Sequence, residues 1–88
     1  MHQLQMHERA TEDLIFWAYN DSKMLAKIFR LIESILKTPF RGIGRPEALK
    51  YDLVGYWSRR INQEHRIVYR ITDDYIIIIQ CRGHYDDK

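Results

Sequence analysis

Residues 55–82 of this 88-residue chain, GYWSRRINQEHRIVYRITDDYIIIIQCR, decide the fold. They hold three strand-like segments separated by the polar, turn-forming triplets NQE and TDD. In the middle segment, every second residue shares a side, which groups Ile67, Tyr69 and Ile71 against Arg66 and Arg70. The last segment is continuously apolar, as strands buried on both faces are. The stretch therefore predicts an antiparallel meander.

The residues before this stretch predict two helices. In residues 22–37, SKMLAKIFRLIESILK, apolar side chains recur at helical spacing. Asp21 suits the N-cap, and Pro39 ends the helix because the residue before a proline is pushed out of the α region. A shorter helix is predicted over roughly 8–19, with these residues facing inward: Ala10, Leu14, Trp17 and Ala18.

Together these elements predict an α+β fold. A short N-terminal strand, QLQM, precedes two helices that pack on one face of a small twisted sheet, whose last three strands form the meander. If the isoleucines of the middle strand pack on the helices, Arg66 and Arg70 project onto the other face, with loop 41–50 at its rim. Residues 1–88 are expected to form a single domain, with residues 86–88 as a tail.

Composition excludes several classes of protein. The chain is 45% hydrophobic and 30% charged, which is ordinary for a globular domain. The first residues, MHQLQMHERA, lack the apolar segment of a signal peptide, and the apolar runs are too short to span a membrane. The single cysteine, Cys81, is expected to be a small core residue in a reducing compartment. The expectation is a cytoplasmic protein.

Charge is unevenly distributed along the chain. Residues 1–40 hold five Lys/Arg and five Asp/Glu, whereas residues 41–70 hold seven Lys/Arg against three Asp/Glu, a net +4. A basic segment rich in arginine and aromatic residues is what a polyanion-binding surface requires. A solvated sheet face would give the same count, and on charge alone it is the slightly better interpretation.

The chain carries no metal-ligand or cofactor motif, so no cofactor is expected. What remains is a set of acids, bases and cations with one terminal tyrosine: Glu47, Lys50, Arg59, Arg60, Glu64, Arg66, Arg82, His84 and Tyr85. Transesterification at an RNA phosphodiester is a reaction that such a set can run without a metal, because the 2′-OH is a nucleophile already in place.

The roles follow from what the reaction needs. Glu47 would take the 2′-OH proton, Arg60 or Arg66 would steady the phosphorane, and His84 would protonate the leaving 5′-oxygen. Aromatic side chains would stack a base: Tyr85, Trp57 and Tyr56. Composition alone makes this set possible without selecting it, because small domains often carry as many charged residues on solvated faces.

Three motifs strengthen the RNA interpretation. TPFRGIGRPEALK, GYWSRRINQEHRIVYRI and CRGHY, in this order, closely resemble the YoeB-like toxins of the RelE superfamily over roughly residues 8–85. The resemblance implies a ribosome-dependent endoribonuclease that cuts mRNA during translation, contacts ribosomal RNA of the small subunit, and is neutralised by a YefM-like antitoxin. It also makes a homodimer plausible.

The family's functional residues carry over motif by motif. Glu47 of PEAL matches the general base, Arg66 of EHR the phosphate-binding arginine, and CRGHY the terminal pair His84 and Tyr85, with His84 as the acid. The resemblance places further residues at positions that bind RNA or organise the site: Lys50, Arg60 and Glu64. Arg59, Trp57 and Arg82 complete the expected RNA-binding set.

The chain also departs from the family pattern. Gly83 stands where a bulkier residue is usual, which suggests a looser terminus, and Asp86, Asp87 and Lys88 follow the point at which family members commonly finish. These departures keep two alternatives open. One is a toxin-like fold that blocks translation without cleaving, and the other is a ribonuclease that acts without the ribosome. The modest net charge of +2 argues against the second.

Overall fold

The computed structural model describes residues 2–84. Its elements, in chain order, are β1 (Gln3–Met6), α1 (Glu8–Asn20), α2 (Ser22–Lys37), β2 (Glu47–Ala48), a turn of 3₁₀ helix (Tyr51–Leu53), β3 (Tyr56–Arg60), β4 (Arg66–Ile71) and β5 (Tyr75–Gln80). The α+β architecture predicted from the sequence is confirmed, and so is the short first strand.

The strands form one sheet in the order β1-β5-β4-β3-β2. β3, β4 and β5 are the predicted antiparallel meander, and β1 pairs in parallel with β5. The expectation that Glu47 lies in a loop is wrong, since Glu47 and Ala48 pair with Ser58 and Trp57 as a two-residue edge strand. This strand, β2, pairs with β3 and adds a fourth antiparallel strand beside the meander.

Both helices pack on the same face of the sheet. Asp21 caps α2 as predicted, because its carboxylate accepts from the backbone N–H groups of Lys23 and Met24. The core joins α1, α2 and the strands through these buried residues: Ala10, Trp17, Ile28, Leu31, Ile32, Ile35, Ile61, Ile67, Tyr69, Ile76, Ile78 and Cys81. Ala18, predicted to face inward, is exposed, and Asp13 of α1 is buried instead. Neither described helix is long and apolar enough to cross a membrane.

A bulge changes the facing of the last strand. Tyr69 lies opposite Ile78 but Val68 lies opposite Gln80, so Ile79 is an extra residue on β5. Gln80 is therefore brought to the face that Val68 occupies, away from the helices, and Cys81 turns into the core. Strict alternation from Ile76 onward would have put Gln80 on the helix side.

Candidate active site

The face of the sheet opposite the helices, called the open face here, carries one row of aligned residues. Glu47 lies opposite Ser58, Ser58 opposite Val68, and Val68 opposite Gln80. Side chains that are directly opposite each other share a face, so this row crosses four strands, a width of about 14 Å. Glu47 is exposed, whereas the three residues beside it are buried. The row therefore consists of three buried side chains with an exposed carboxylate at one end.

Two arginines flank this row on the side of the β3–β4 turn. Arg60 and Arg66 are register partners, and both lie two residues from the row. The Nη1 of Arg66 donates to the carbonyls of Asn62 (2.7 Å), His65 (3.1 Å) and Gln63 (3.3 Å), which fixes the guanidinium at the turn. All three of these hydrogen bonds use Nη1, and the Nε and Nη2 of an arginine are further donors of the kind that bind an anion.

Arg70, on the same face, lies at the far side of the row. Its guanidinium is 5.8 Å from the ring centroid of Tyr56. The prediction that Arg66 and Arg70 project away from the helices is confirmed, since Ile67 on the other face is fully buried in the core and Arg70 is exposed.

Arg59 requires a correction. It was expected to bind RNA, but its side chain is fully buried on the helix side of β3. All five of its N–H groups have acceptors: Tyr69 Oη (3.1 Å), Ser34 Oγ (2.7 Å) and the carbonyls of Ile43 (3.1 Å), Thr38 (2.7 Å) and Arg41 (2.8 Å). Arg59 therefore holds the loop that follows α2 and cannot reach a ligand.

Tyr69 extends this network. Its hydroxyl accepts from Arg59 and donates to the carbonyl of Pro39 at 2.8 Å. Burial raises the pKa of the Tyr69 hydroxyl above its usual value, against the opposing effect of the Arg59 hydrogen bond and charge. The phenol therefore stays protonated and keeps donating.

The loop is also shaped by Gly44, which has φ +84°. A Cβ at this position would lie 2.7 Å from Leu31 Cδ2 and 3.1 Å from the Arg60 carbonyl. The Gly44 carbonyl in turn accepts from the Arg60 N–H at 2.6 Å. Arg59 and Gly44 together hold the loop against the end of β3. This position of the loop sets the register in which Glu47 lies opposite Ser58.

Lys50 and Glu64 stand at the two edges of this region. Lys50 is exposed and lies two residues after the end of β2, before Tyr51, which has a left-handed φ of +58°. Glu64 is exposed in the β3–β4 turn, where its N–H donates to Asn62 Oδ1 at 2.8 Å. Both are close in sequence to residues of the open face, and their roles in RNA binding stay a prediction.

The segment after β5 is anchored to α1 at Cys81. The Cys81 N–H donates to the buried carboxylate of Asp13 (2.9 Å), and the Trp17 Nε1–H donates to the Cys81 carbonyl (3.0 Å). Burial, with a smaller effect from the Asp13 charge, raises the pKa of the Cys81 thiol to about 12. Cys81 is the core residue that the sequence predicted.

Two further residues guide the chain beyond Cys81. His65 Nδ1 accepts from the Gly83 N–H at 2.9 Å, and the Gly83 carbonyl accepts from the Arg66 N–H at 2.9 Å. The Gln80 amide donates to the His84 carbonyl at 3.1 Å. Gly83 itself is held by hydrogen bonds at both its N–H and its carbonyl, and its φ of +83° favours glycine.

These contacts bring the backbone of His84 to the open-face row through Gln80. Sequence reasoning assigned no role to His65 and did not single out Gln80 or Asp13. The position of His65 between Glu64 and Arg66 in the EHR triplet was the available signal, but its partner lies 18 residues away. Tyr85, expected to complete the terminal pair, lies outside the described residues.

Arg82 and Trp57 lie away from this set. The guanidinium of Arg82 is 3.6 Å from the ring centroid of Phe16 on α1, on the helix side of the sheet. Trp57 shares the face of Tyr69 and meets Phe40 edge to face at 5.1 Å. The strand alternation thus turns the Trp57 ring away from Glu47, so this residue does not share a face with Glu47, Arg60 and Arg66.

Comparison with known proteins gives a consistent result. Residues 6–85 match the family model of the YoeB-like toxin of bacterial type II toxin–antitoxin systems. The chain is 54% identical over 74 residues to the toxin YoeB of Streptomyces coelicolor, covering 84% of this chain and 88% of that protein.

Solved structures agree with the sequence match. A YoeB/ParE toxin from Agrobacterium tumefaciens superposes with a TM-score of 0.91 at 46% identity, over 97% of this chain and all (100%) of that one. Staphylococcus aureus YoeB is similar as a dimer (TM-score 0.88, 45% identity, 96% and 98% covered) and in a YoeB–YefM complex (0.86, 43%, 97% and 99%). This chain therefore belongs to the YoeB-like toxins of bacterial type II toxin–antitoxin systems.

Proposed function

We propose that this toxin is an endoribonuclease that cuts mRNA on the translating ribosome and so inhibits translation. The observation that carries the proposal is the open-face row, which has the Glu47 carboxylate at one end and the backbone of His84 held through Gln80 at the other. Arg60 and Arg66 lie alongside it. A base, two cations and an acid on one surface are the groups that phosphodiester transesterification requires.

The reaction runs as follows. The Glu47 carboxylate takes the proton of the 2′-OH, and the 2′-oxygen bonds to the adjacent phosphorus. The bond from phosphorus to the 5′-oxygen breaks, and His84 in its protonated form gives a proton to that oxygen. The products are a 2′,3′-cyclic phosphate and a 5′-hydroxyl end. The reaction needs no metal ion because the substrate supplies the nucleophile and the arginines stabilise the charge of the phosphorane.

Arg66 is the stronger candidate for the phosphate clamp. Its Nη1 is tied to three carbonyls of the turn, so the guanidinium is already oriented before RNA arrives. Preorganised donors stabilise a transition state more than mobile ones do, because no reorganisation is needed during the reaction. Arg60, exposed at the end of β3, would add a second positive charge.

Other residues have supporting roles in this proposal. Lys50 and Glu64 position the RNA at the edges of the open face, and Tyr85 completes the terminal pair with His84. The toxin acts in the cytoplasm and contacts ribosomal RNA of the small subunit, which presents the mRNA. The modest net charge of +2 supports dependence on the ribosome, because so few unbalanced cations give weak binding to RNA alone.

The test is primer extension on ribosome-bound mRNA and on the same mRNA without ribosomes, for the wild type, Glu47→Ala and His84→Gln. We expect cuts that need the ribosome and that both substitutions abolish. Ribosomes stalled equally by all three proteins, without cuts, would instead identify a non-cleaving inhibitor. Cleavage of naked mRNA at low enzyme concentration would identify a ribonuclease that does not need the ribosome.

The proposed partner is a YefM-like antitoxin with an acidic, partly disordered segment that folds on the open face. The YoeB–YefM complex of the S. aureus relative and the exposed Arg60 and Arg70 support this partner. Co-expression with the neighbouring gene should give a stable complex on purification, and failure to co-purify would contradict it. A homodimer is proposed on the same basis from the dimer of that relative, and sedimentation of the purified toxin tests it.

A further inference from the structure

A groove of about 430 Å³ lies beside the proposed active site. Three parts of the chain line it: α2, the loop before β2, and the end of β3 with the turn after it. The lining includes four cations, Lys27, Arg30, Arg45 and Arg60, and no aspartate or glutamate. None of the site residues proposed from the sequence, apart from Arg60, belongs to it.

Positive charge dominates this groove, because its lining holds no aspartate or glutamate. Four cations around one groove are a strong local concentration in a protein whose net charge is only +2. A concave surface lined with one sign of charge focuses the field and attracts a polyanion.

The groove is continuous with the proposed active site. Asn62 and Gln63 line it, and their carbonyls are the ones that hold the guanidinium of Arg66. Arg60, which also lines it, is the register partner of Arg66. A strand of RNA bound by Arg66 at its scissile phosphate therefore needs to advance only past one turn of the chain to enter the groove.

The interior of the groove is apolar between the cations. Leu31 and Ile61 form its buried floor, and Ile43, 54% exposed, presents an aliphatic surface from the loop. The volume lies within the range of sites that bind small ligands. An unstacked base of single-stranded RNA can place its apolar face against this surface. The bases of a duplex are stacked on one another inside the helix, so a duplex would contact the groove through its backbone.

We infer that this groove binds single-stranded mRNA next to the bond that is cut, with phosphates on the cations and one base against Ile43. The inference rests on the proposed function, because the substrate it extends is the mRNA held by Arg66. Lys27, Arg30 and Arg45 are then substrate-binding residues, and they act on affinity rather than on the chemical step.

The test uses full-length His84→Gln protein, which should bind RNA without cutting it, and a fluorescent single-stranded RNA oligonucleotide. Binding is measured by anisotropy at several salt concentrations, with Lys27→Gln/Arg30→Gln added in one protein and Lys23→Gln/Lys37→Gln in a matched control. Each pair removes two charges from exposed positions of α2. We expect a roughly tenfold loss of affinity at low salt for the groove pair, and a salt slope reduced by about 1.4, which is the value for two phosphate contacts on a single strand.

A third variant, Ile43→Ser, should weaken single-strand binding without changing the salt slope. Equal binding by the groove pair and the control pair would overturn the inference, as would no binding by the His84→Gln protein at any salt concentration. A loss of the same size with duplex RNA would show a backbone-only surface, and a loss confined to antitoxin binding would make the groove a protein interface. Both results would overturn it. Failure of ribosome-dependent cleavage by the wild type would leave this binding measurement unaffected, so the two proposals are separable.

Discussion

The two segments that carry the proposed base and acid are held in different ways. Glu47 follows the loop whose carbonyls accept three of the five Arg59 N–H groups, the other two going to Tyr69 and Ser34. Arg59 is fully buried between that loop and α2. His84 follows a segment whose anchorage weakens along the chain. Cys81 is fully buried, and the contacts after it involve Gly83 and the exposed His84.

The difference has a physical consequence. The loop before Glu47 is bound to the core, so it can open only if the protein loses much of its stability. The segment before His84 is anchored at Cys81 and then held by individual hydrogen bonds with His65, Arg66 and Gln80 near the ends of β4 and β5. Such contacts open at low free energy. The position of Glu47 is therefore part of the fold, whereas that of His84 depends on a few contacts that can be broken separately. The following substitutions test this contrast, beginning with the largest expected effect.

Arg59→Leu should lower the free energy of unfolding by about 4 kcal/mol, because it leaves several buried carbonyls of the loop without donors. Arg59→Lys should recover part of the loss, since an ammonium has only three donors and no planar fork. Urea unfolding followed by circular dichroism measures both. A loss below about 1 kcal/mol for Arg59→Leu would show that the loop does not depend on this arginine.

Gly44→Ala should lower the free energy of unfolding by about 3 kcal/mol, because the new Cβ would meet Leu31 and the Arg60 carbonyl in a left-handed backbone. Gly55→Ala is the matched control. Its φ is +96° and its Cβ would have nothing within 4 Å, so it should cost only the backbone strain, about 1 kcal/mol. Equal losses for the two variants would mean that strain alone, and not the close approach of the loop, requires glycine at position 44.

Asp13→Asn should cost about 2 kcal/mol, since the buried Cys81 N–H loses a charged acceptor. Its main effect should be local: the Cys81 thiol, buried in the native state, should react faster with a thiol reagent because the segment opens more often. The labelling rate of native protein measures this opening. Glu12→Gln, an exposed neighbour on α1, is the control and should leave the rate unchanged.

His65→Leu should cost only about 1 kcal/mol in stability, because it removes one half-buried acceptor. On the proposed function, cleavage on the ribosome should nevertheless fall by about tenfold or more, since a misplaced acid slows the chemical step. His65→Asn, whose Oδ1 can replace Nδ1 as the acceptor of the Gly83 N–H, should restore part of the rate. Equal activity of the Leu and Asn variants would exclude a positioning role for His65.

The smallest effect expected is on stability at alkaline pH. The pKa of Cys81 is raised to about 12 in the folded protein against about 9 when unfolded, so the stability it contributes is complete below pH 9 and is lost as the pH rises toward 12. Between pH 7 and 9.5 the loss should be just under 1 kcal/mol. Cys81→Ala should show a correspondingly flatter dependence in urea unfolding. Parallel curves for the two proteins would contradict burial of the thiol.

The sequence by itself determined the elements whose signals are local. The periodicity of residues 22–37, the cap at Asp21 and the stop at Pro39 gave α2 with the bounds observed. Alternation in two segments, the apolar run of the third and the turn triplets between them predicted the meander, and alternation predicted the face that carries Arg66 and Arg70. The motifs of the sequence also identified the toxin family, through residues spaced along the chain. The elements depend on the side-chain pattern within one segment, and the family depends on the order of short motifs, so both can be read without the fold.

Only the tertiary structure decided the features that depend on partners distant in the chain. Arginine is usually a surface residue, but the Arg59 side chain is buried because carbonyls of the loop, from residues 38–43, accept its hydrogen bonds. β2 is too short to show a pattern, and pairing with β3 makes it a strand. The bulge at Ile79 reverses the facing of Gln80, and His65 finds its partner at Gly83. In each case the free energy comes from a hydrogen bond or contact between segments, and no local pattern encodes which segments meet.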